Sequence, residues 1–407
     1  MKYVLRDNVY LVNGAVKSCI YDFNAEKLYS INSNLAKEVE KINNGMFNAD
    51  GIDCELQSVI EKFINLGLVG ISDDEIVNSH DITEIKNNIS CKMAWIEITG
   101  RCNLRCIHCY NESNDQNFAV MTFDNYKIAL NSIIEVGIRK IQIIGGEPFT
   151  CKRELKSFLD YTIGKVDFIE IFTNGTLIDT DWYEYLAQNN IHIALSLYSY
   201  DPFMHDKVTC INGSWKQTHK TIRALAKYKI PYRVCNVLMT DIEIGEKNTN
   251  LYTLSTEKDV VRMSGRANFK LLSKELIKKK LITKKTFQTP LKKPFCIRLA
   301  SGHNCYNDRI YISVNLDVYP CVMERRIKHC TLNETQSLVL NGAIRNMTKN
   351  KINECRHCEY RYCCFDCRPN SLSGDLYEKP WYCTYNPNTG GWSDEDQFIQ
   401  NLFDEWT

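Results

Sequence analysis

Between residues 94 and 265 short β-branched runs alternate with amphipathic stretches, and this alternation constrains the fold of the 407-residue chain more than any other feature. The strand-like runs are AWIEITG (94–100), KIQIIGG (140–146), FIEIFTNG (168–175), IHIALSLYS (191–199), YRVCNVLM (232–239) and DVVRMSG (259–265). Between them lie stretches such as FDNYKIALNSIIEVG and WKQTHKTIRALAKYK, whose apolar residues recur at helical spacing. Strands with buried-looking faces, each followed by a helix, predict an α/β fold with a parallel sheet, open or curled into part of a barrel. In such sheets functional groups gather at the C-terminal ends of the strands. Three motifs fall there: CNLRCIHC (102–109) after the first strand, GGEP (145–148) after the second and TNG (173–175) after the third.

CNLRCIHC holds three thiols within eight residues and no fourth beside them. The chain has 19 cysteines, and thirteen of them crowd into 102–109 and 296–383. Clustering of this kind fits metal or iron–sulfur ligation better than disulfides, which a reducing compartment disfavours. Three thiolates can hold three irons of a [4Fe–4S] cube and leave the fourth open, by the logic that separates catalytic from closed zinc sites. Two plainer readings are a closed site completed by Cys91 and a structural zinc with a remote fourth ligand.

The Cys-x3-Cys-x2-Cys spacing of Cys102, Cys106 and Cys109, followed by Gly145-Gly146-Glu147-Pro148 at a strand end, resembles the radical S-adenosylmethionine (SAM) superfamily. That resemblance implies a partial (β/α)6 barrel in which the open iron chelates the methionyl amine and carboxylate of SAM. Cleavage of the sulfonium then yields a 5′-deoxyadenosyl radical that abstracts a substrate hydrogen. It further implies cofactor contacts from Gly145, Gly146 and Glu147, from Ser196 on the fourth strand, and from Asn174 and Arg262. His108 stands where the family has an aromatic residue near the adenine.

Cysteines return in CRHCEYRYCCFDC as Cys355-x2-Cys358-x5-Cys364-x2-Cys367, with Cys296, Cys305 and Cys321 upstream and Cys383 downstream. A zinc ribbon would separate its two knuckles by roughly fifteen to twenty residues, whereas five intervene here. The series resembles the SPASM extension of peptide-modifying radical enzymes, which carries two auxiliary [4Fe–4S] clusters. By position, one would take Cys296, Cys305, Cys321 and Cys367, and the other Cys355, Cys358, Cys364 and Cys383. Leu316 replaces the Gly usual before the "PC" cysteine, and the final pair is spaced by two residues where three are common. Cys330 and Cys363 stay unassigned.

Residues 1–75 read as three strands (NVYLVN, KSCIYDF, EKLYSIN) and two Gly-terminated helices, a winged-helix-like order. Residues 1–80 hold seven basic and twelve acidic residues, the wrong sign for nucleic acid. The module resembles the peptide recognition element of ribosomal-peptide maturases. This implies a leader peptide added as a strand beside KLYSI (27–31) and packed on QSVIEKFINLGLV (57–69), by β-augmentation. From Arg266 to Lys293 ten basic residues face one acid, Glu275: either a solvated helix and loop or a basic wall for an acidic peptide. The polar start MKYVLRDNVYLVNG and the lack of a long apolar run predict a cytoplasmic protein without a membrane partner.

These readings predict a recognition module over 1–75, a linker over 76–92 from the polar stretch 73–90, a radical SAM barrel over 93–290 and a SPASM domain over 291–407. The expected activity is oxidative cross-linking of a ribosomally made precursor peptide, thioether or carbon–carbon, with a flavodoxin- or ferredoxin-like one-electron donor. Alternatives on the same scaffold are a peptide epimerase, with Cys330 or Cys363 returning a hydrogen atom, and a sulfatase-maturase-like dehydrogenase. A non-catalytic iron–sulfur electron carrier is the alternative of another class, although a carrier gains nothing from an exposed iron.

Overall fold

A computed structural model describes residues 2–44, 46, 54–72, 80–85, 90–245, 256–335, 337–365, 367–371 and 374–406. Of the expected linker, residues 76–79 and 86–89 lie outside the described residues. The chain divides into two compact units, one of residues 1–89, 281–304 and 346–407, the other of residues 90–280 and 305–345.

In the first unit β1 (Lys2–Leu5) pairs antiparallel with β5 (Val69–Ser72), an element absent from the sequence reading. Strands β2 (Val9–Asn13), β3 (Lys17–Asp22) and β4 (Lys27–Asn32) form an antiparallel sheet in chain order, which leaves β4 at an edge. Helix α1 (Ser33–Asn43) starts where the Asn32 side chain accepts from the Leu35 N–H, and it buries Ala36, Val39 and Ile42. With α2 (Cys54–Asn65) it closes a core around Ile20, Ile60 and Leu68. The C-terminal segments pack on this module. The Tyr21 hydroxyl donates to the Glu359 carbonyl at 2.9 Å, and the Ala15 N–H to the His357 carbonyl at 2.9 Å. The expected closing helix spans Glu395–Trp406.

In the second unit the alternation resolves into β6 (Met93–Glu97), α3 (Phe123–Glu135), β7 (Lys140–Ile144), α4 (Lys152–Thr162), β8 (Phe168–Thr173), α5 (Thr180–Gln188) and β9 (His192–Ser196). Then follow α6 (Pro202–Thr209), α7 (Ser214–Lys227), β10 (Tyr232–Leu238), β11 (Thr256–Val260) and α8 (Lys274–Lys280). Strands β6 to β11 are parallel and lie side by side in chain order, the (β/α)6 arrangement of a partial barrel. The sixth strand begins three residues earlier than DVVRMSG suggests. Beyond β6 the sheet continues through β12 (Arg309–Ile312), parallel to it, and the antiparallel β13 (Asp317–Tyr319) and β14 (Cys330–Thr331).

Side-chain parity explains the sheet. Ile141, Ile143, Ile169, Ile171, Ile193, Leu195 and Val234 pack on Leu130, Ile133, Phe158, Leu186 and Leu225 of the helices. Each such buried side chain contributes roughly 1.5–3 kcal/mol. The residues of opposite parity include a polar layer. Gln142 Nε2 donates to Glu170 at 2.6 Å, and Arg233 grips the same carboxylate with two bonds of 2.9 Å. Among the described residues no helix is long and apolar enough to cross a membrane.

Candidate functional site

The C-terminal ends of the parallel strands enclose a mostly apolar cavity of about 360 Å³. Cys102, Cys106, His108 and Cys109 line it from the loop after β6, and Gly145 and Gly146 from the end of β7. Asn174 follows β8, Ser196 ends β9, and Arg262 lies just past β11. The structure thus brings together all the residues expected around SAM except Glu147.

Glu147 is fully buried behind the wall and is not a lining residue. Its carboxylate accepts from the Phe149 N–H (3.0 Å), the Thr173 hydroxyl (2.8 Å) and the Asn174 N–H (2.7 Å). It therefore ties the GGEP turn to the TNG turn. Burial outweighs these three donors and raises its pKa to about 7.

The two glycines answer to sterics. A Cβ on Gly145 would stand 2.5 Å from the Thr99 carbonyl oxygen, and one on Gly146 2.2 Å from that of Arg101. Only glycine lets the β7 turn lie this close to the thiol-bearing loop.

The three thiols sit in different surroundings. Cys102 accepts from the Leu104 N–H at 3.4 Å and from Asn174 Nδ2 at 3.9 Å. Burial, and then the nearby Glu147, push its pKa up to about 12. Burial also pushes the Cys106 thiol up, Cys102 and Cys109 add to this, and Arg266 pulls it back. Buried thiols of this kind give up their protons to a metal rather than to solvent. The His108 ring meets Tyr198 edge-on at 4.6 Å, and burial holds its pKa down to about 4, so it is neutral. Arg262 pairs with Asp259 at 2.5 Å.

The donor set suits an iron–sulfur cube. Among the described residues no three His, Cys, Asp or Glu side chains converge tightly enough to hold one metal ion. A cube is larger, because each thiolate ligates a different iron. Three soft sulfur donors on one wall, with room beside them, match a cube with an open corner.

A second, smaller cavity lies within the other unit. It is lined by Cys355, Cys358, Cys364 and Cys383 together with Tyr360, Tyr385 and Trp392. The strand-like bridge of Ile282 to Cys383 holds the last thiol in place. The other expected quartet divides: Cys296 and Cys367 belong to the first unit, Cys305 and Cys321 to the second. Cys330 packs against the core of the large sheet, and Cys363 accepts from the Tyr21 hydroxyl at 3.4 Å.

Residues 96–246 match the model of the Radical SAM superfamily. This stretch is a radical SAM domain. Members of the superfamily bind SAM and a [4Fe–4S] cluster, and the domain places its cysteine triplet at the cavity described above. The antilisterial bacteriocin subtilosin biosynthesis protein AlbA of Bacillus subtilis (strain 168) is 34% identical over 157 residues, 38% of this chain and 34% of that protein. A probable GTP 3′,8-cyclase of Methanococcus maripaludis is 28% identical over 153 residues, 37% of this chain and 51% of that protein. The chain thus spans about a third to a half of the length of these curated relatives. The fold is similar to that of Streptococcus suis SuiB bound to its precursor peptide SuiA. That likeness has a TM-score of 0.52 at 14% identity and covers 93% of this chain and 98% of SuiB.

Sequence reasoning missed two residues near the cavity. Cys235 on β10 lines the cavity, directly across from Ser196 in strand register, and accepts from Arg233 Nη1 at 3.3 Å. Its signal was parity: 233, 235 and 237 alternate with Val234, which packs outward. Arg266 binds the thiol-bearing loop, as detailed below, and stands in the same RMSGR run that suggested Arg262.

Proposed function

We propose that the chain is a peptide-modifying radical SAM enzyme that recognises the leader of a ribosomally made precursor and oxidatively cross-links its core, as a thioether or a carbon–carbon bond. The observation that carries this reading is the single cavity that gathers Cys102, Cys106 and Cys109 with Gly145, Gly146, Asn174 and Ser196. When bound there, the cluster and SAM supply a one-electron route to hydrogen abstraction from carbon. The chain's own residues hold three thiols on one wall, keep the β7 turn close, and line the rest of the space with Phe172, Val237, Val261 and Met323, which exclude water.

Further support comes from the four thiols at the second cavity, which suit an auxiliary cluster and an exit for the second electron. The edge position of β4 in its sheet suits strand addition by a leader peptide. AlbA's part in making a bacteriocin points the same way. A flavodoxin- or ferredoxin-like donor would supply the first electron.

The test is anaerobic. After reconstitution we expect about twelve irons per chain, four for each of three cubes. Dithionite and SAM should then yield 5′-deoxyadenosine. Replacing Cys102, Cys106 and Cys109 by Ala should abolish that product and leave about eight irons. Zinc in place of iron, or cleavage indifferent to the triplet, would overturn the reading.

A second reading, peptide epimerisation, is favoured by one observation. Besides the triplet, the thiol that lines the cavity is Cys235 rather than Cys330 or Cys363, and it suits the return of a hydrogen atom to a carbon radical. Product formed in D2O separates the two outcomes: an epimer gains one deuteron and keeps its mass otherwise, whereas a cross-link loses two hydrogens.

A further inference from the structure

The segment just past β11 grips the loop that bears the three thiols. Arg266 donates from Nε to the Cys106 carbonyl at 2.9 Å and from Nη1 to the Ser113 carbonyl at 2.9 Å. Its backbone N–H donates to the Cys109 carbonyl at 3.1 Å. Beside it Gly265 has φ +59°, and a Cβ there would stand 2.4 Å from the Cys109 carbonyl oxygen and 2.6 Å from that of Tyr110. One short segment thus reaches three carbonyls of the loop, two of them on the cysteines expected to ligate iron.

The charge of Arg266 is the more telling feature. Its Nη2 is buried and has no hydrogen-bond partner. All its bonds go to neutral carbonyls, and among the described residues no carboxylate pairs with it. A part-buried guanidinium without an anion is costly, so the arrangement calls for a negative group from elsewhere. Three thiolates on an oxidised cube carry a net charge of about −1, and one added electron makes it about −2.

Resting on the radical SAM reading above, we propose that Arg266 is the positioning and charge-compensating residue of the cluster loop. It fixes the carbonyls of Cys106 and Cys109 so that their thiols present a ready-made ligand set. Its positive charge favours the cube that has accepted one electron from an external donor over the oxidised cube. Arginine suits both tasks, because its planar fork holds two carbonyls at fixed geometry, which a lysine ammonium does not.

The experiment uses the full chain, anaerobically reconstituted, as wild type, Arg266→Lys and Arg266→Gln. Iron per chain is measured, and the cluster whose EPR spectrum changes on adding SAM is titrated against potential. Arg266→Gln should lower the ratio of reduced to oxidised cluster about tenfold at fixed potential, a fall of about 59 mV for a one-electron couple. Arg266→Lys should keep most of that potential but retain iron at the triplet less well through a desalting step. A wild-type midpoint and wild-type iron in Arg266→Gln would overturn the proposal. Should Arg266→Gln not fold, full iron retention by Arg266→Lys would overturn the positioning role. A wild type whose iron is unaffected by loss of the Cys102, Cys106 and Cys109 thiols would instead sink the underlying reading.

Discussion

Adding one methyl group at Gly146 tests the central arrangement of the site. In Gly146→Ala the new Cβ would stand 2.2 Å from the Arg101 carbonyl oxygen, 2.6 Å from its carbon and 2.8 Å from the Gly100 oxygen. All three are backbone atoms, so no side chain can swing aside. Carbon and oxygen rest about 3.2–3.5 Å apart, so the thiol-bearing loop must retreat by about 1 Å. That retreat strains two short bonds, Gly146 N–H to the Thr99 carbonyl and Glu147 N–H to the Arg101 carbonyl, each 2.7 Å. Overpacking costs about 1–3 kcal/mol and each of the two weakened backbone bonds roughly 0.5–1.5 kcal/mol, for a local total of roughly 2–6 kcal/mol. Displacing a reacting group by about 1 Å can cost 10²-fold in rate. The assay is iron content after reconstitution together with the rate of 5′-deoxyadenosine formation. Gly70→Ala is the control, since its Cβ would meet only the Arg6 side chain at 3.6 Å. A Gly146→Ala protein with wild-type iron and a rate within threefold of wild type would refute the close-approach argument.

Other perturbations probe separate parts of the molecule. Burial holds the His205 pKa down to about 4, and its Nδ1 accepts from the Tyr198 N–H at 3.2 Å. The unfolded chain binds this proton below about pH 6.5 and the folded chain does not. The stabilisation is therefore complete above pH 6.5 and falls by about 3 kcal/mol as the pH drops towards 4. His205→Gln keeps an acceptor and should flatten that part of the curve in urea melts at pH 7 and 5; parallel slopes would count against it. Glu170→Leu removes the carboxylate that takes two of the Arg233 bonds and should cost about 3 kcal/mol, most of it recovered in Glu170→Leu with Arg233→Met; a mild single mutant would refute the network. Cys383→Ser should cost about four irons while sparing those at the triplet, and full iron in that variant would remove Cys383 from the ligand set. Cys235→Ala should leave cross-linking intact and abolish any deuterium incorporation, as mass spectrometry of the peptide would read.

Much of the fold was legible because the sequence repeats one grammar. All six strand-like runs became parallel strands, and the motifs after the first three lie on one rim, since a βα turn must emerge at the strand's C-terminal end. The front strands β2 to β4 and both helices were equally readable from period and Gly stops. Strands β1 and β5 were missed because each spans four residues and pairs across more than sixty, which leaves no local signal. The extension of the sheet through β12 to β14 was missed because β12 pairs with β6 across more than two hundred residues, and β13 and β14 are only three and two residues long. Residues 305–345 belong to the compact unit that holds the barrel strands, and Met323 from that segment reaches the cavity wall.

The site itself separates what spacing can encode from what it cannot. That Cys102, Cys106, Cys109 and the two glycines meet at one cavity was legible because strand-end placement and backbone clearance are written into residue type and interval. Glu147 was placed in the right motif, yet its carboxylate is consumed by Phe149, Thr173 and Asn174. No interval distinguishes a carboxylate that faces a cofactor from one that ties two turns. Arg262 and Arg266 present the same ambiguity within five residues: one pairs with Asp259, and the other bonds the cluster loop. What separates them is the left-handed Gly265 between them, which turns the chain back onto Cys109.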